Sequence, residues 1–99
     1  MNLPRNDTNT GRVLRAMINT GWLTAGDVRR RAKLSPDTEV TARIRDLRKI
    51  GVYVACVSEP HPKDEHRRLW KYRIVQLPGW VRKELNRESQ RVLFGSRAA

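Results

Sequence analysis

The sequence predicts a small α+β domain, mainly helical, with its helices first and a β-hairpin after them. Two observations carry that prediction. Between residues 8 and 50, apolar residues recur at helical spacing in three runs, separated by Gly21 and Pro36. After Gly51 the period falls from about 3.6 to about 2, in two runs rich in β-branched and aromatic residues.

Residues 1–7 are polar and read as a loose N-terminal segment. A first helix fits about residues 8–20, where Val13, Leu14, Met17 and Ile18 form the apolar stripe. Gly21 suits the left-handed position just past its end. Trp22 and Leu23 then offer apolar anchors. Thr24-Ala-Gly-Asp27 has the form of a capping box, with Asp in place of the usual Glu. The second helix it opens runs to about Lys33 and turns Val28 and Ala32 toward the core.

The turn Leu34-Ser-Pro-Asp37 follows. Pro36 cannot continue the second helix but fits the first turn of the next. Either Ser35 or Asp37 can cap that third helix, which covers 38–50 and is closed by Gly51. At about 100° per residue, Val40, Ile44 and Leu47 fall in one narrow stripe. Thr38, Thr41, Ala42, Arg45 and Lys49 fall on the opposite side. One edge docks into a core; the other presents short polar and cationic side chains.

Val52-Tyr-Val-Ala-Cys-Val57 reads as a strand, with Cys56 a small buried hydrophobe. Leu69–Val75 alternates, with Trp70, Tyr72 and Ile74 on one face and Lys71 and Arg73 on the other. Between them, residues 59–68 hold two prolines and a charge cluster, which predict a loop. Leu77-Pro-Gly-Trp80 breaks the chain, and a fourth helix fits 81–94 on the incomplete stripe Val81, Leu85 and Val92.

Three helices with a tight turn between the second and third make the helix-turn-helix pattern. A strand, a charged loop and a strand after the third helix add the hairpin known as a wing. The predicted architecture is thus a winged helix-turn-helix with a C-terminal helical extension. Residues 1–7 are its flexible start, 8–77 the domain, and 78–99 the extension and tail.

The segment Ala42-Arg-Ile-Arg-Asp-Leu-Arg-Lys-Ile-Gly51, followed by a strand, a polar wing and Tyr72-Arg-Ile74, resembles the short winged helix-turn-helix proteins of bacteriophages and prophages. Those proteins typically show A-R-I-x-D/E-L-R-x-x-G-Y, a wing, and then Y-R-L. The likeness covers roughly residues 10–75. Val52 departs from it, standing where an aromatic is common, and the tail after Pro78 has no counterpart. The resemblance implies sequence-directed DNA binding in a phage-type setting, in transcriptional control or recombination accessory work.

Charge agrees with that implication. The chain has 99 residues, enough for one modest core, and 21 Lys and Arg against 10 Asp and Glu. The net charge of +11 and a pI near 11.2 are the footprint of a polyanion binder. They do not by themselves separate DNA from RNA or from an anionic membrane. Cys56 is the only cysteine, so no intrachain disulfide can form and a reducing cytoplasm is expected; the resemblance implies that of a bacterial or phage-infected cell. No apolar run approaches a membrane span or a signal-peptide core, so no membrane partner is expected.

Candidate contacts follow from the third helix. Thr38, Thr41, Ala42 and Arg45 are placed to reach base edges, and Arg45 can grip a guanine bidentately, worth about 1–3 kcal/mol of discrimination. Arg48 and Lys49 lie further along and suit phosphates. Arg29, Arg30, Arg31 and Lys33 of the second helix suit backbone contacts, although the same charges also serve a solvated face. In the wing, Lys63, His66, Arg67 and Arg68 suit the minor groove or its phosphates, with Asp64 and Glu65 limiting the contact at the tip. Arg43 and Asp46 read as a solvated helix flank.

His61, His66 and Cys56 lack the spacing of a metal site. No Ser-His-Asp order, phosphate-cradling glycine loop or carboxylate cluster is present, so no enzyme, cofactor or small-molecule substrate is expected. Trp22, Trp70 and Trp80 each border an apolar segment and are expected to pack, with Trp80, beside Pro78 and Gly79, the best placed to be exposed. The expected function is a double-stranded DNA-binding regulator of transcription. Two alternatives stay open: an adaptor or inhibitor that holds a protein partner, and an RNA binder. Val81, Leu85, Val92, Leu93 and Phe94 make the tail more apolar than solvation requires. Residues 78–94 therefore either pack on the domain or pair with a second copy.

Overall fold

The computed structural model describes residues 3–98, with side chains described as far as Gln90. The elements are α1 (Asn9–Met17), β1 (Leu23–Thr24), α2 (Ala25–Arg31), α3 (Val40–Lys49), β2 (Tyr53–His61), β3 (Asp64–Gln76) and α4 (Gly79–Ala98). They form an α+β fold in which one antiparallel sheet, ordered β1-β3-β2, lies with the helices around a shared core.

Thr8 starts α1, its hydroxyl accepting the Gly11 N–H at 3.1 Å. The N-terminal segment crosses this first turn closely. A Cβ at Gly11 would lie 1.8 Å from the Arg5 carbonyl oxygen. The helix ends before its predicted limit, because Ile18 is already extended and Asn19 takes a φ of 58°. Asn19, and not Gly21, is the left-handed residue here; asparagine tolerates that region through local hydrogen bonding.

The capping box of α2 forms as its spacing predicts. Thr24 Oγ1 accepts the Asp27 N–H and Asp27 Oδ2 accepts the Thr24 N–H, both at 3.1 Å. The helix stops two residues short of Lys33, which has a φ of 55°. The Lys33 N–H reaches the Arg30 carbonyl and the Leu34 N–H reaches the Arg29 carbonyl, at 3.2 and 3.0 Å. Those two bonds make a Schellman ending and fold buried Leu34 back onto the core. α3 ends the same way. Gly51 has a φ of 97°, and the Gly51 and Val52 N–H groups bond to the carbonyls of Arg48 and Leu47 at 3.1 Å.

Neither Ser35 nor Asp37 caps α3, whose N-cap is Glu39 without a side-chain bond. Residues 35–38 close a turn of their own, in which the Thr38 N–H bonds to the Ser35 carbonyl at 3.1 Å. The hydroxyls of Ser35 and Thr38 lie 3.0 Å apart in the same turn. Once α3 begins, its stripe behaves as predicted. Val40, Ile44 and Leu47 are buried with Leu14, Met17 and Val28 in one cluster that also takes in Val52, Val54 and Tyr72.

The hairpin differs most from its prediction. The expected loop over 59–68 is mainly strand, and the turn shrinks to Pro62 and Lys63, between His61 and Asp64. Pro60 is compatible because β2 is an edge strand, where a missing N–H breaks no central ladder. The register places Cys56 opposite Tyr72 and Ser58 opposite Trp70. Cys56 is nevertheless exposed, not buried: Val54 is the last buried residue of β2, and the strand then runs beyond the core. The tryptophans also reverse their expected order. Trp22 and Trp70 are 40% and 52% exposed, whereas Trp80 packs partly buried against the core.

α4 starts earlier than the predicted helix and docks. Val81 is fully buried, Leu85 packs beside it, and Arg15 of α1 binds Glu88. The start of α4 therefore packs on the domain, through Trp80, Val81 and Leu85. The expectations for Val92, Leu93 and Phe94 lie outside the described side chains.

Candidate nucleic-acid interface

Burying Val40, Ile44 and Leu47 leaves Thr41, Arg45, Arg48 and Lys49 on the outside of α3. Arg45 and Lys49, one turn apart, are exposed and form no ion pair or side-chain hydrogen bond among the described residues. Thr41 Oγ1 donates to Glu39 Oε1 at 3.0 Å beside them. Ala42 is half-buried on the flank.

Of three other predicted contacts, one lies off the helix and two are bonded within the fold. Thr38 precedes the helix, in the turn before it, and so is not on its outward face. Arg48 donates to the Val54 carbonyl at 2.9 Å and ties α3 to the edge strand. Arg29 donates to the Thr38 carbonyl at 3.3 Å and holds the turn between α2 and α3. Its Nε is buried without a partner. Arg43 and Asp46 are half-buried, not solvated. They lie 3.3 Å apart, and Thr10 of α1 donates to the same carboxylate at 3.0 Å.

The remaining cations of α2 divide. Arg30 pairs with Asp27, exposed. Arg31 donates through Nε to the Ala16 carbonyl at 3.2 Å. Lys33 is exposed, with no side-chain bond among the described residues. On the hairpin, Arg68 bonds across the strands to Ser58, to its carbonyl at 3.1 Å and its hydroxyl at 2.8 Å. Lys71 pairs with Glu59 at 2.6 Å. Arg67 and the turn residue Lys63 are exposed and unpaired among the described residues. His61 Nδ1 accepts the Lys63 N–H at 3.1 Å, and the His66 backbone N–H bonds to Asp64 at 3.0 Å, one on each side of the turn; the His66 side chain is exposed.

Two titrating groups are displaced. The Asp27 carboxyl is held below the usual aspartate range, first by the Thr24 N–H, against burial, and further by the Thr24 hydroxyl and Arg30. Burial pushes the Tyr72 phenol up; Cys56 adds to this and Arg48 opposes it. Among the described residues no group of three or more His, Cys, Asp or Glu is placed to hold a metal ion, and no helix is long and apolar enough to cross a membrane.

Arg12 is the cation that sequence reasoning passed over. It lies on the exposed side of α1, opposite Val13, Leu14 and Met17, and helical periodicity alone was enough to place it there. With Arg31 and Lys33 it lines a recess of about 410 Å³ between α1 and the end of α2. Compared with protein-family models, with curated proteins and with solved structures, the chain finds no match.

Proposed function

We propose that this chain binds double-stranded DNA as a winged helix-turn-helix protein and regulates transcription, with α3 entering the major groove. One observation carries the reading. The outward face of α3 presents Thr41, Arg45 and Lys49 together, and both cations are free of partners among the described residues. The order of three helices followed by a hairpin supports it, as does the net charge of +11. In this reading Arg45 and Thr41 meet base edges, while Lys49 and Arg30 meet phosphates. Lys63 and Arg67 carry the hairpin over the neighbouring groove. The domain does no chemistry on its ligand.

The test is a titration against duplex DNA, duplex RNA and single strands across a salt series. Duplex DNA selected from random fragments should bind far more tightly than the other forms at every salt concentration. Equal affinity for all polyanions of like charge would refute the reading. A protein-binding adaptor is the second reading, favoured by the exposed apolar side chains of Tyr53, Val57, Trp70 and Val75 on the hairpin. Duplex DNA binding does not use them all.

A further inference from the structure

The recess between α1 and the end of α2 gathers four cations, and two of them, Arg12 and Lys33, have no partner among the described residues. Arg12, Arg15, Arg31 and Lys33 line it, and no carboxylate does. Arg15 is already engaged, by Glu88 and by the carbonyls of Pro4 and Gly11. Arg12 and Lys33 make no side-chain bond among the described residues. Arg31 is fixed through Nε to the Ala16 carbonyl at 3.2 Å, which leaves its terminal nitrogens available. Ala16 and Ala32 line the same space with side chains too small to fill it, and Asn6 adds an amide.

Gathering like charges costs self-repulsion, and the one acid that relieves it, Glu88, pairs only with Arg15. Lys33 also occupies a left-handed backbone position, where glycine or asparagine would sit with less strain. An oxyanion removes the repulsion and matches guanidinium and ammonium donors. No residue of α3 or of the hairpin lines the recess.

We propose that this recess is a phosphate-binding site, separate from the α3 face. The site rests on its own charges and does not depend on α3 binding duplex DNA. The phosphate can come from a nucleic-acid backbone or from a free phosphorylated molecule, and the test separates the two. Inorganic pyrophosphate and a short duplex are titrated in turn against the full chain, followed by backbone amide NMR. Three proteins are compared: wild type, the pair Arg12→Ala with Lys33→Asn, and the pair Arg45→Ala with Lys49→Ala. Asparagine at 33 keeps the left-handed turn. Thermal melts confirm that each variant folds.

A saturable response at Asn6, Arg12, Ala16 and Lys33, weakened about tenfold or more in the first pair and kept in the second, is the expected result. Response to pyrophosphate indicates a free phosphoryl ligand; response to duplex alone indicates backbone phosphate. Shifts spread equally over Arg45, Lys49 and the recess would mean charge screening and overturn the site. So would no saturable response to either probe. Loss of the α3 responses alone would overturn duplex reading by α3 and leave the recess standing.

Discussion

Arg45 and Arg48 lie on one exposed face of one helix, yet removing them should have opposite consequences. Arg45 makes no side-chain bond among the described residues, so Arg45→Ala should change stability by no more than about 0.5 kcal/mol. If it reads a base, the variant should lose about 1–3 kcal/mol of specific binding. That is a roughly 5- to 150-fold loss on a selected duplex, with much less on random DNA. Arg48 instead donates to the Val54 carbonyl at 2.9 Å, across the junction between α3 and β2. The bond is charge-assisted but partly exposed, so its loss should cost about 1 kcal/mol. For a domain of this size that lowers the melting temperature by about 4–8 °C. The assay pairs a thermal melt with competition binding on selected and random duplexes. Arg45→Ala should melt as wild type and lose specificity; Arg48→Ala should melt early. The reverse assignment would refute the division of the face into a reading residue and a structural one. Equal losses for Arg45→Ala on both duplexes would make it a phosphate contact.

Four further outcomes follow from the packing. Truncation after Leu77 removes buried Val81 together with Trp80, Leu85 and the Glu88 partner of Arg15, and should lower stability by about 3–5 kcal/mol. A truncated chain that melts as the full one would show that α4 does not complete the core. Gly11→Ala puts a Cβ 1.8 Å from the Arg5 carbonyl oxygen and displaces the segment that bonds to Thr8 and Arg15. It should cost about 2–4 kcal/mol in denaturant unfolding, and a neutral result would mean that the N-terminal segment does not cross the helix as described. Gly26→Ala meets only Thr24 Oγ1 at 3.8 Å, so it should stabilise by about 0.4–1 kcal/mol; a lowered melting temperature would refute that. Asp27 has a depressed folded pKa, so its contribution is present above the unfolded value and lost as pH falls below about 4. Acid melts of Asp27→Asn should therefore show a shallower decline with pH than wild type, and parallel curves would exclude the effect.

What the sequence revealed was local. The stripe Val40, Ile44 and Leu47 is buried because helical geometry alone puts those positions together. The Thr24–Asp27 box and the Gly51 ending are legible because each is closed within a few residues. What it hid was nonlocal. Residues 59–68 are polar and carry prolines, which signals exposure, but pairing across Pro62 and Lys63 depends on the partner strand. Trp70 continues the Tyr72 and Ile74 alternation, yet burial depends on how far the helices reach along the sheet. The engaged arginines are hidden for a related reason. Arg29, Arg31 and Arg48 bind the backbone carbonyls of Thr38, Ala16 and Val54, and a carbonyl carries no residue signature.

That last point bears on how a basic protein should be read. Net charge sets the strength of attraction to a polyanion but not the surface that meets it. Here a large part of the positive charge is already committed to internal acceptors. Arg15 fastens α4 to α1, Arg29 braces the turn before α3, Arg43 shares Asp46 with Thr10, and Arg68 bonds across the hairpin. These groups can reach a phosphate only by giving up a bond, so they add less to binding than their charge implies. Arg45 and Lys49 on α3, Lys63, Arg67 and Arg73 on the hairpin, Arg12 and Lys33 at the recess, and Arg82 and Lys83 on α4 have no such bond among the described residues. Each phosphate neutralised contributes about 0.9 to the log–log salt slope. The slope should therefore follow this unengaged set, and it should be well below what all 21 Lys and Arg would give at the interface.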